Sequence, residues 1–123
     1  MIKRGPGDVL IFECDGCGKA VTGSAGYVHV DMAEVNEAAD KSAVFKDDEI
    51  LSPEVMTEYP KAVAWQVHHE ACDPRPGSGD YWFGVDRCDT WPKLTHWTGH
   101  LMEKSWLAHT NWSSILCAIG EDA

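Results

Sequence analysis

Two short pairs of side chains, Cys14-Asp15-Gly16-Cys17 and His69-Glu70-Ala71-Cys72, constrain this chain more than any other feature. Three thiols and an imidazole make a complete tetrahedral donor set for zinc, and a two-residue spacer lets one tight turn deliver two donors to one ion. Gly16 and Gly18 suit such a turn because glycine accepts positive φ, and Lys19 adds positive charge beside the thiolates. Four protein ligands leave no position for water or substrate, so the pattern predicts one structural zinc per chain, held by Cys14, Cys17, His69 and Cys72. His68 competes with His69, since His68-x3-Cys72 is also workable; a spacer of two is the commoner companion of Cys-x-x-Cys and favours His69. The 51 residues between the pairs are tolerable because loop-closure entropy grows slowly with length. A lone Cys-x-x-Cys can instead be a redox pair, but that chemistry places it at a helix N-terminus, and here glycines follow.

A chain of 123 residues is one domain by length, short enough for a metal clip to supply much of its stability. Five cysteines, an odd number, argue against a secreted disulfide framework, which leaves Cys88 and Cys117 as ordinary thiols, Cys117 in the core. The opening residues lack the apolar stretch of a signal peptide, and no run is long enough to span a bilayer; a cytoplasmic protein is expected. Net charge is −10, and residues 31–58 hold nine acids against Lys41 and Lys46. The basic residues are scattered, with only Lys3-Arg4 adjacent, at an N-terminus expected to be mobile. A phosphate backbone requires clustered Lys and Arg, so nucleic acid is a poor partner and a protein a better one.

The pattern along the chain predicts an α+β fold: a small zinc-anchored antiparallel sheet with a knuckle hairpin, helices, and a Trp-rich helical C-terminal part. Residues 8–13 read as a strand entering the knuckle, with a return strand near 20–22, and Tyr27–Val30 alternates as another strand. Asp31 with Glu34 resembles a capping box, starting a helix over about 32–44. A loop over 46–51 precedes a short helix from Ser52-Pro53-Glu54, limited by Pro60. Residues 62–67 and 81–85 read as strands around a Pro- and Gly-rich loop at 73–80. Thr90 and Pro92 begin a helix with Leu94, Trp97 and Leu101 on one face, and Thr110 begins a last helix with the stripe Trp112, Ile115, Leu116 and Ile119. The whole, 1–123, is a single domain: a zinc-anchored sheet over 8–85, with a helical insertion at about 31–60, and C-terminal helices over 86–119. All six tryptophans lie from Trp65 onward, which concentrates the aromatic core there.

The knuckle Cys14-x-x-Cys17-Gly18-Lys19 with His69-x-x-Cys72 resembles the ligand pattern of treble-clef and zinc-ribbon proteins, including the first half of a LIM module. A full LIM domain would need a second ligand set. Trp65 ahead of the His-x-x-Cys, the Tyr81-Trp82 strand and the run His96–Lys104 extend a likeness, over residues 8–116, to uncharacterised small proteins of actinobacteria and their phages. The first resemblance implies protein contacts or nucleic-acid binding; the second implies no activity. Among other constellations, His96 and His100 stand at i, i+4 on the face opposite Leu94, Trp97 and Leu101, without the Glu of a His-Glu-x-x-His protease. A His-Asn-His-type nuclease built on His68-His69 would need a metal-binding helix soon after, where residues 73–80 read as loop. The sequence therefore predicts a non-enzymatic, zinc-stabilised protein-interaction or regulatory module, with the acidic segment 31–58 and the Trp-rich helices as its surfaces. Two alternatives remain: a metal-dependent nuclease or hydrolase using His68, His96 and His100, and a nucleic-acid-binding zinc protein.

Overall fold

The computed structural model describes residues 1–46 and 61–121. Of the loop expected at 46–51, Lys46 is described and ends a helix; residues 47–51 and the helix expected from Ser52 to Pro60 fall outside the described residues. The fold is α+β, with two small antiparallel sheets and three α-helices among the described residues. Strand β1 (Ile2–Arg4) pairs with β2 (Leu10–Phe12). In the second sheet β3 (Gly26–Val30) lies between β4 (Gln66–His69) and β5 (Tyr81–Gly84). The helices are α1 (Met32–Lys46), α2 (Trp91–Met102) and α3 (Trp112–Glu121).

Local chemistry accounts for the boundaries. The Asp31 carboxylate accepts from the backbone N–H groups of Ala33 at 2.9 Å and Glu34 at 3.2 Å, satisfying two of the donors a helix start leaves orphaned. Thr90 caps α2 through Lys93 N–H, with Pro92 in the first turn, and Thr110 accepts from Trp112 N–H at the entry to α3.

Three expectations are corrected. Lys3 and Arg4 are not in a mobile tail: β1 pairs with β2, Lys3 reaches Glu13 at 2.9 Å, and the Arg4 guanidinium lies 5.5 Å from the Trp91 ring centre. The strand expected from residue 62 begins at Gln66, because Val63 and Trp65 bond to the approach of α3 instead of to β3. Val63 N–H donates to His109, Asn111 N–H donates to Val63, and Trp65 N–H donates to the Asn111 side chain at 2.9 Å. Cys117 is exposed rather than in the core: it lies two residues from Ile119, so the 3.6-residue period turns it away from the buried stripe of Trp112 and Ile119.

Side-chain alternation gives the central sheet two unlike faces. Val28, Val30, Val67 and Phe83 point into the core. There Trp65 meets Trp112 at 5.3 Å and Phe83 at 5.7 Å between ring centres, and Phe83 meets Trp97 at 5.1 Å. Tyr27, His29, His68 and Trp82 belong to the other face, with Tyr27 opposite His68 and Gly84, and His29 opposite Trp82. Five tryptophans lie in the core or against it; Trp82 is 64% exposed.

Candidate metal centre

The knuckle follows β2 as a narrow ladder. Val21 N–H donates to Phe12, Cys14 N–H to Lys19 and Gly18 N–H to Cys14, the last closing the turn at 2.8 Å. Gly18, at φ +77°, supplies the left-handed residue this turn requires. Gly16 serves differently from the sequence expectation: its φ is not positive, and a Cβ there would stand 3.3 Å from the Cys72 Cβ. Its lack of a side chain lets the two ligand-bearing turns approach. The return segment near 20–22 makes only an isolated bridge, Glu13 to Ala20, not a strand.

Asp15, between the two knuckle cysteines, ties the turn to β4. Its N–H donates to the Val67 carbonyl at 2.7 Å and its carboxylate accepts from Val67 N–H at 2.8 Å. That clamp holds Cys14 and Cys17 over the end of β4, where His69 leaves the strand and the single 3₁₀ turn Glu70–Cys72 brings Cys72 back. Cys14, Cys17, His69 and Cys72 thus converge, with all four ligand atoms within 4.8 Å of one another. His69 Nδ1 lies 3.4 Å from the Cys17 sulfur and 4.0 Å from that of Cys72.

The donor set suits a soft or borderline divalent ion. His69 Nε2–H donates to the Ala20 carbonyl at 2.9 Å, which fixes the tautomer and leaves the Nδ1 lone pair facing the sulfurs. Burial alone would raise the Cys14 thiol, but hydrogen bonds from the backbone N–H groups of His69, Cys17 and Gly16 outweigh it and bring the group down to about 5. Cys72 is pushed up to about 11 by burial and by its neighbours Cys14 and Cys17. Three sulfurs this close repel one another as thiolates, and a cation among them is the species that would hold all three deprotonated.

The remaining candidates lie elsewhere. His68 is buried on the sheet face turned away from the core, its Nδ1 2.8 Å from Nε2 of His29, whose Nδ1–H donates to the Asp80 carboxylate at 2.9 Å. His96 lines a shallow hollow with Asp86, Lys93 and Trp97, while His100 stacks on the Trp97 ring at 4.5 Å instead of facing away from it. Cys88 is fully buried, and burial pushes its thiol up to about 12. Among the described residues, one cluster of metal-ligand type is present, and neither His68, His96 nor His100 belongs to it.

Sequence reasoning missed Asp15, the Ala20 carbonyl and the chain Asp80–His29–His68. None lies at a spacing that signals its partner; each contact depends on how distant segments come together, the knuckle on β4 and β3 on β4 and on the loop before β5. No protein-family model, curated protein or solved structure matches the chain.

Proposed function

We propose that this chain is a non-enzymatic, zinc-stabilised module that acts by binding another protein in the cytoplasm. The observation that carries the reading is the closed donor set: three sulfurs and one imidazole nitrogen, all from the chain and all within 4.8 Å, give a metal four protein ligands and no open position. Bound zinc would act as a cross-link between residues 14–17 and 69–72 and would supply folding energy, not Lewis acidity toward a substrate. The ligand spacing supports placing the site with treble-clef and zinc-ribbon centres. A net charge of −10 supports a protein partner over a nucleic acid. Among the described residues no helix is long and apolar enough to cross a membrane.

A second reading, a metal-dependent nuclease or hydrolase using His68, His96 and His100, draws on the carboxylate–imidazole pair Asp80–His29 beside His68. It requires a second ion. Metal analysis of purified protein distinguishes the two: one zinc per chain, lost in Cys14→Ser and Cys72→Ser, is the expected result. A second equivalent removed by His96→Ala or His100→Ala favours the enzyme. A native-lysate pull-down that returns nothing above background, combined with turnover on a nuclease and hydrolase panel, overturns the proposed function.

A further inference from the structure

The sheet face turned away from the core forms the floor of a cleft of about 1010 Å³, walled by the loop 73–80 and by the 3₁₀ turn Val85–Arg87. Its floor is aromatic. Tyr27 and Trp82 lie 5.7 Å apart between ring centres, and Trp82 leaves most of its indole to solvent, unlike the other five tryptophans. Its walls are acidic. The Tyr27 hydroxyl donates to Asp73, and Asp86 folds back over Gly84, its carboxylate oxygen 2.6 Å from where a Cβ would stand. Glu70 and Asp80 complete four carboxylates in the lining.

Two guanidiniums share this cleft, and both are engaged. Arg75 lies between Asp31 at 2.8 Å and Asp80 at 3.8 Å, and Arg87 sits 5.6 Å from the Trp97 ring centre. Among the described residues, Glu70 and Asp86 have no cationic side chain in ion-pair range of their carboxylates; the nearby Lys93 ammonium donates to the Asp86 backbone carbonyl at 3.4 Å and pairs with Asp89 instead. An exposed indole next to a phenol, flanked by carboxylates without counter-ions, matches a planar cation: the ring faces attract positive charge and the carboxylates accept its N–H fork.

We propose that this cleft is a docking surface for an arginine-bearing basic segment of a partner protein, with a guanidinium stacked on Trp82 and held by Asp86, and with Glu70 lining the far side of the cleft. The proposal rests on the protein-binding reading above and names the partner's chemistry. Arginine fits better than lysine because a flat, weakly hydrated cation can stack on the indole while bonding sideways to carboxylates.

The test is a ¹⁵N NMR titration of the zinc-loaded full chain with the peptide acetyl-Gly-Gly-Arg-Gly-Gly-amide. The same peptide with citrulline for arginine, a neutral isostere, is the control. The Trp82 indole N–H, assigned by its absence in Trp82→Ala, should shift saturably with the arginine peptide and stay still with the citrulline one. Trp82→Ala and Asp86→Asn should each weaken binding by about five-fold, while Asp40→Asn, an exposed charge on α1, should change it less than two-fold. Both cleft variants alter exposed side chains, and an unchanged melting temperature verifies their fold. An immobile Trp82 resonance, equal binding of the citrulline peptide, or an Asp40→Asn loss equal to that of Asp86→Asn overturns the proposal. If a lysate partner is captured equally by Trp82→Ala, this inference fails while the protein-binding function stands.

Discussion

His68 and His69 are neighbours whose fates separate because successive residues of a strand point to opposite faces. His69 turns to the knuckle and donates from Nε2; with His29 neutral, His68 donates from Nδ1 to His29, so the two rings hold opposite tautomers. His69→Ala should therefore abolish stoichiometric zinc, whereas His68→Ala should keep it and lose stability only. Metal analysis of both refolded variants checks this, and zinc loss in His68→Ala alone would contradict it. Tyr27 yields a second prediction. Burial first, then its bond to Asp73 and the surrounding carboxylates, push its hydroxyl up to about 12. A raised folded pKa favours the neutral phenol, so this contribution is present below about pH 10 and is lost as pH rises toward 12. Asp73 moves the other way: burial would raise it, but the Tyr27 and Arg75 N–H bonds bring it down, so its share is lost only in acid. The urea midpoint should drop between pH 9 and pH 11 in the wild type, and drop less in Tyr27→Phe.

At the scale of elements, the ligand halves meet because β3 lets β4 come close. A Cβ on Gly26 would run into the His68 carbonyl and stand 2.7 Å from Val21 Cγ1 and 2.9 Å from His69 Cα. Gly26→Ala should destabilise by about 3 kcal/mol and weaken zinc retention against a chelator, because overpacking there moves His69 relative to Cys17. Equal chelator half-times for variant and wild type would contradict the second part. Elements with local causes were legible in the sequence: Asp31 and Thr90 as helix caps, the apolar stripe of α3, the alternation in Tyr27–Val30. The four clustered side chains were legible too, since a two-residue spacer carries its own geometry. What escaped was set by pairing between distant segments. Residues 62–65 have strand character, yet their hydrogen bonds go to the start of α3. Asp15 carries no pattern at all until Val67 stands opposite it. The exposed Trp82 is hidden among six tryptophans, because composition cannot tell which ring the fold leaves outside.

For the whole molecule, the question is how far the influence of the proposed zinc would reach. From the sequence alone, Cys14→Ser or a strong chelator is expected to unfold the N-terminal half. The connections argue for a wider effect: Leu10 N–H donates to Asp89, Trp91 N–H donates to Asp8, and β1 packs on α3. Segments on both sides of the site therefore share one set of backbone bonds with the C-terminal helices. Structural zinc is worth about 10–16 kcal/mol in small finger peptides, whereas the net stability of a domain is about 5–15 kcal/mol, so loss of the ion can exceed all that holds the chain folded. Trp65 belongs to the segment that leads into β4, and its packing on Phe83 and Trp112 depends on β4 staying in register with β3. Removal of zinc by a strong chelator should then abolish the near-ultraviolet circular dichroism of the tryptophan cluster in the same transition that disrupts the knuckle, and re-addition should restore both. Persistence of the tryptophan signal after verified metal loss would show that the aromatic core folds without the clip.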